Sequence, residues 1–207
     1  MTNDSIYQEV SNYYTKKINS YGPTPSGVDW NGKESQDLRF HELLKCLVPN
    51  QTITINDLGC GYGALVNFLS HSNTNYKYYG YDISEKMIEQ ARNINSDNDC
   101  AHFYHGSTPL MKQDYSVASG IFNVKQSRSD DEWLEFIINN LWILHKSSEK
   151  SFAFNCLTSY SDIDKKKSYL YYANPCFLFD YCKKKFSKNV ILAHDYGLYE
   201  FTIIVKK

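Results

Sequence analysis

The sequence predicts an α/β fold: a doubly wound sheet flanked by helices, with a helical cap at its N-terminal end. Three observations carry this. From residue 53 the pattern runs strand, glycine turn, helix, strand, which is a βαβ unit. Strand-like and helical runs then follow one another to residue 185. The chain closes on two strand-like runs joined by Tyr196-Gly197, an antiparallel hairpin.

Residues 3–20 predict a helix opening after a polar cap, with Ile6, Val10, Tyr13 or Tyr14 and Ile18 near helical spacing. The stretch from Tyr21 to Gly27, with prolines at 23 and 25, cannot continue it, because proline lacks the N–H and restricts the residue before it. A second helix is expected over about 35–48. TITIND forms the first strand of the sheet, LVNFLSHS a helix, YKYYGYD the second strand and SEKMIEQARNI the next helix. AHFYH at 101–105 reads as a third strand and SVASGIF at 116–122 as a fourth. Asp130 is expected to cap a helix that places Trp133, Phe136, Ile137, Leu141 and Leu144 on one face. SFAFNCL at 151–157 is the fifth strand. Residues 158–174 are polar, tyrosine-rich and long for a connection, as lids and binding loops are. Asn174-Pro175 predicts an N-cap and first helical residue, with the helix reaching Lys185. NVILAH and LYEFTIIVK form the hairpin.

The 207 residues suit one domain, 1–207, with 1–50 as the helical cap or lid and 51–207 as the core. A net charge of −1 with no basic stripe argues against a nucleic-acid partner. Lys165–Lys167 and Lys183–Lys185 read as a solvated loop and a helix end. The six cysteines show no C-x-x-C pair, so no metal site and reduced thiols are expected. The polar N-terminus has no apolar leader core, and no run approaches the roughly 20 apolar residues of a spanning helix, so a cytoplasmic location without membrane insertion is expected. Oligomeric state is not legible.

The chemistry concentrates where the first strand meets its helix. Asp57-Leu58-Gly59-Cys60-Gly61-Tyr62-Gly63 occupies the position where backbone must approach a ligand closely. NAD(P)-type turns there use G-x-G-x-x-G to draw a pyrophosphate to a helix N-terminus. Here the glycines run G-x-G-x-G, with an acid two positions before the first. This resembles the first motif of class I, Rossmann-like, S-adenosylmethionine-dependent methyltransferases.

The resemblance covers about residues 53–205 and implies a seven-stranded sheet of order 3-2-1-4-5-7-6, with strand 7 antiparallel. It implies S-adenosyl-L-methionine as cofactor, with Gly59, Cys60 and Gly61 around its methionine end and ribose, and Asp57 helping to hold the ammonium. Asp82, 19 residues past Gly63, would accept from the ribose hydroxyls. Ile83 and Met87 would flank the adenine, and Gly106-Ser107 would meet its edge, Ser107 standing where aspartate is commoner. The GVDW-N and SQxxRF stretch, SGIFN, FNCLTSYSD and HDYGLYEF look like a bacterial group of stand-alone methyltransferases, a likeness that attaches no particular acceptor.

In a doubly wound sheet the acceptor lies outside the carboxyl ends of the strands. Asn123, after the fourth strand, is a candidate catalytic and cofactor-binding residue, positioning substrate or the sulfonium region. Asn155 and Tyr160, Tyr169, Tyr171 and Tyr172 can form an aromatic wall. His194 and Tyr196 are the candidate catalytic residues after the sixth strand, His194 as a general base. In the cap, Arg39 is a candidate fork for the cofactor carboxylate and Trp30 a candidate lid over the methyl site. There is no N/D-P-P-Y/F after the fourth strand, and Pro175-Cys176 lies past the fifth, so neither base amino-methylation nor a cytosine-type cysteine nucleophile is indicated. The expected reaction is methyl transfer to a small-molecule, glycan-type or lipid-linked acceptor, at oxygen. A non-catalytic cofactor-binding partner module and a protein or nucleic-acid methyltransferase are the alternatives.

Overall fold

The computed structural model describes residues 3–48, 52–72 and 75–207, and no side chain before Ser5. The polar cap expected before the first helix and the cap–core boundary at 50–51 lie outside the described residues.

Seven strands form one sheet of order β3-β2-β1-β4-β5-β7-β6. They are β1 (Ile53–Leu58), β2 (Tyr76–Asp82), β3 (Ala101–His105), β4 (Gln113–Ala118), β5 (Ser148–Leu157), β6 (Asn189–Ala193) and β7 (Glu200–Lys206). Pairing is parallel from β3 through β5, and β7 runs antiparallel between β5 and β6. Among the described residues four helices flank the sheet: α3 (Ala64–His71), α4 (Glu85–Ile94), α5 (Asp130–Ser147) and α6 (Pro175–Lys185). Central strands are buried on both faces, and in β1 every residue but the half-buried Thr54 is buried, although Asn56 and Asp57 are polar. One core, around Trp133, Phe136, Phe152 and Phe201, packs α5 and α6 on the sheet; the second, around Leu43, Ile55, Leu65 and Tyr78, packs α3 and α4.

The N-terminal segment forms α1 (Asn3–Tyr21), a 3-10 turn at Pro25–Val28 and α2 (Lys33–Leu44). α1 lies across the carboxyl end of β2. Ser11 Oγ donates to Ile83 O at 2.9 Å, and Thr15 Oγ1 meets Ser84 Oγ at 2.8 Å. Arg128 clasps Glu9 through two nitrogens. α2 packs beside β5 and β7 on the flank of the sheet.

Several element boundaries differ from those the sequence predicts; β5, for one, begins at Ser148 rather than at 151. β4 runs Gln113–Ala118 rather than 116–122, because Gly120 takes φ +76° and turns the chain out of the sheet before Ile121-Phe122. α5 is capped by Ser129, whose hydroxyl accepts from Glu132 N while the Glu132 carboxylate accepts from Ser129 N; Asp130 is the first helical residue. α2 stops at Leu44. Asn174 and Pro175 stand as N-cap and first residue of α6, the cap side chain accepting from Phe177 N.

Candidate active site

β1 ends in the glycine loop, and the loop folds back over the end of β2. Gly59 N and Cys60 N both donate to Tyr81 O, at 2.7 and 3.0 Å. Gly59 has φ +75°, and a Cβ there would overlap Cγ2 of Ile121, so the position needs glycine on both counts. Gly61 N donates to Asp82 Oδ2 at 2.9 Å, and Ser84 N donates to Asp82 Oδ1 at 2.8 Å. Two of the four lone-pair positions on the Asp82 carboxylate are thus used by its own loops.

Asp57 is buried in the same cleft. Its Oδ2 accepts from Tyr78 Oη at 2.6 Å, and its Oδ1 has no partner. Burial pushes the Asp57 carboxyl up to about 7 against a pull downward from Tyr78 and a further push from Asp82. Burial likewise raises Asp82 to about 6, opposed by the Ser84 and Gly61 amides. An unpaired, buried carboxylate oxygen on a residue that lines a cleft is costly and points to a cationic or donor group as its complement.

A cleft lies over this loop. Its floor is Asp57, Gly59, Cys60, Gly61 and Asp82. Ile83, Met87, Gly106 and Ser107 line one end, and Trp30 lines it from the cap. The sequence singled out all ten. Tyr14, Val28, Gln36 and Ile121 also line it, without having been assigned to the cofactor. Gln36 could have been suspected from its place in the SQxxRF stretch, whereas nothing local marks Tyr14 as other than a helix-face residue.

A second cleft adjoins the first, the two sharing Tyr14, Val28, Trp30 and Gly120. Trp30 lies so close over Gly120 that a Cβ would stand 2.5 Å from its Cη2. Asn155, fully buried, holds this turn by accepting from Gly120 N at 2.7 Å, so its amide supports the loop from behind rather than walling the cleft.

Arg39 is placed differently from its expected role. Its Nε donates to Glu200 Oε2 at 2.7 Å, Nη1 donates to Ser35 O, and the guanidinium stacks 4.0 Å from the Trp30 ring centroid. Both members of the pair are buried, at 7% and 1% exposed side chain, so the fork is committed inside the protein and braces Trp30. Asn123 lines the second cleft, but its Oδ1 accepts from Leu157 N and its Nδ2 faces Glu200 Oε1 at 3.4 Å. It ties the loop after β4 to β5 and β7.

His194 and Tyr196 do not come to either cleft. For the first cleft sheet order is the reason: β7 intervenes between β5 and β6, so β6 sits four strands from β1, about 19 Å at the usual strand spacing. His194 is exposed beside Tyr160 and Phe201. Tyr196 turns to Thr202 Oγ1 at 3.1 Å, its hydroxyl pKa raised chiefly by burial. Among the described residues no cluster of histidine, cysteine, aspartate and glutamate fits a metal ion, and no helix is long and apolar enough to cross a membrane.

Comparison with known proteins agrees with this geometry. Residues 49–197 match a family model described as a methyltransferase domain. A Mycobacterium tuberculosis protein named "Putative methyltransferase Rv1506c" is 49% identical over 154 residues, 74% of this chain and 93% of its own length. Among solved structures, magnesium protoporphyrin IX methyltransferase from Synechocystis with bound S-adenosylhomocysteine superposes with a TM-score of 0.68 at 12% identity, covering the whole of both chains. A DhpI complex with S-adenosylhomocysteine gives 0.66 at 13% identity over 98% of this chain and 97% of that one. The chain belongs to the methyltransferase-domain family and carries the Rossmann-like fold of the class I S-adenosylmethionine-dependent enzymes.

Proposed function

We propose that the protein transfers a methyl group from S-adenosylmethionine to a hydroxyl oxygen of a small-molecule, glycan-type or lipid-linked acceptor. The observation that carries this reading is the meeting of two clefts at Trp30 and Gly120. One is floored by the glycine loop and the two carboxylates, and the other is walled by the N-terminal segment and residues 158–174.

The residues present fit the donor. Asp57 Oδ1, buried and unpartnered, takes the ammonium of the methionine end, and Gly59 and Gly61 let backbone approach it. Asp82 has lone pairs left for the ribose hydroxyls. Ile83 and Met87 give apolar faces to the adenine, with Gly106 and Ser107 at its edge. When bound, the cofactor supplies a methyl group already activated on a sulfonium, so alignment and exclusion of water can suffice. Trp30, stacked by Arg39 and seated over Gly120, serves both, closing the junction between donor and acceptor. Asn123 acts as a positioning residue through the Leu157 amide and Glu200. His194 and Tyr196 receive no role in the transfer.

An acceptor screen with methyl-labelled donor tests this. Label entering hydroxylated small molecules or saccharides supports it. Label entering only protein or RNA, or a donor bound with no transfer to any acceptor class, overturns it.

A further inference from the structure

We infer that the second cleft holds its acceptor by an anionic group, a phosphate or carboxylate, bound by Lys165, Lys167 and the Tyr172 hydroxyl. The inference rests on the methyl-transfer reading above and names the chemistry of its acceptor.

The charges lining this cleft are unequal. Four cations, Lys17, Arg39, Lys165 and Lys167, face two carboxylates, Asp29 and Glu200. Each carboxylate already has a cation inside the cleft: Lys17 lies 2.6 Å from Asp29, which also accepts from Tyr13, and Arg39 holds Glu200. Lys165 reaches only its exposed neighbour Asp164, at 3.4 Å, a pair of little strength in water. Lys167 has no carboxylate partner among the described residues, and its ammonium stands 5.9 Å from the Tyr169 ring centroid. Two cations therefore remain for a ligand.

One polar group beside them is left to donate. The Tyr172 hydroxyl accepts from Lys167 N at 2.9 Å, so its own proton is free to donate. Lysine ammonium groups have donors alone. A rim that offers N–H and O–H groups and keeps its carboxylates occupied is complementary to an oxyanion and unsuited to a cation.

The segment bearing these residues is built into the fold. Gln126 N donates to Tyr169 O at 2.9 Å and Tyr171 N to Asn123 O at 2.8 Å, while Ser159 N donates to Ala173 O at 2.8 Å. Bridges join Val124 to Leu170 and Thr158 to Ala173. The lysine run that composition alone assigns to a solvated loop is thereby set on the wall of a cleft that shares Trp30 and Gly120 with the donor site, and the Tyr169 and Tyr172 rings beside it can cover a planar or saccharide body.

The test uses phenyl phosphate, benzoate and phenol as probes, titrated into the full chain saturated with S-adenosylhomocysteine. Phenyl phosphate or benzoate is expected to bind more tightly than phenol, and the stronger of the two identifies the oxyanion. Lys165→Gln with Lys167→Gln should weaken that anion about tenfold or more and leave S-adenosylhomocysteine affinity unchanged, both side chains being exposed. Tyr172→Phe should weaken it by a smaller factor. Phenol binding as tightly as the anions, no anion binding to the loaded protein, or full anion affinity in the folded double variant would overturn the inference. Failure of S-adenosylhomocysteine to bind folded protein is a distinct result, which removes the donor-site reading and this inference with it.

Discussion

Replacing Asp57 by asparagine separates the cost of a buried carboxylate from its use. Burial raises Asp57 from 3.8 to about 7, a displacement of roughly 3 units. At about 1.36 kcal/mol per unit this is on the order of 4 kcal/mol of destabilisation carried by the ionised form above pH 7. An amide in its place leaves an unpaired polar atom costing about 1–3 kcal/mol, so a net gain of roughly 2 kcal/mol is expected, or about 4–8 °C in melting temperature for a chain of this size. The sign follows from linkage. With a raised carboxyl pKa the native state binds more protons than the unfolded state between about pH 4 and 7, so this group lowers wild-type stability as pH rises through that window. The advantage of Asp57→Asn is therefore absent near pH 4 and full above pH 7. Binding moves the opposite way. If the cofactor ammonium meets the ionised form only, wild-type affinity for S-adenosylhomocysteine falls about tenfold from pH 8 to pH 6, and the variant binds at least tenfold more weakly at pH 8 with that dependence lost. Scanning calorimetry of the ligand-free proteins and titration at three pH values read both quantities. An Asp57→Asn protein less stable than wild type at pH 8, or one with unchanged affinity and an unchanged pH profile, would refute the reasoning.

Gly120→Ala places a Cβ against the Trp30 ring at a φ of +76°, so a stability loss of roughly 2–4 kcal/mol and a shift in tryptophan emission are expected by denaturant melting and fluorescence. Arg39→Ala strands a buried Glu200 and should cost about 3–5 kcal/mol, whereas Arg39→Met with Glu200→Leu should cost markedly less than the sum of the single changes, which a denaturant double-mutant cycle measures. His194→Ala should leave turnover and melting temperature within the small range usual for exposed positions, roughly 0.5 kcal/mol; a loss of turnover with bound donor would restore its role.

The residues that line the first cleft are legible because their signals are local. The spacing of Gly59, Gly61 and Gly63 and the acids at 57 and 82 lie within one βαβ unit, and parallel pairing of β1 with β2 brings the two acids to the same edge of the sheet. The strand order followed from resemblance, with the terminal hairpin as its sequence trace. What escaped depends on pairs far apart in the chain. In sequence Arg39 is indistinguishable from an arginine free to meet a ligand, because Glu200, 161 residues away, carries no local mark of being its partner. His194 has the sequence context of a rim residue because a strand end looks the same at the centre of a sheet and at its edge. Lys165 and Lys167 looked solvated because the hydrogen bonds that set their segment against the loop after β4 come from Asn123 and Gln126, outside the segment itself. At Asp130 the error was one residue, since a serine followed three positions later by glutamate outranks an aspartate inside the first turn.

Calorimetric titration of the folded chain with S-adenosylhomocysteine, beside NAD and NADP, tests the central claim most directly. The account predicts one saturable S-adenosylhomocysteine site per chain, weakened by Asp57→Asn and by Asp82→Ala, and no dinucleotide binding. Folded protein that ignores S-adenosylhomocysteine, or that binds NAD or NADP in this cleft, would contradict it.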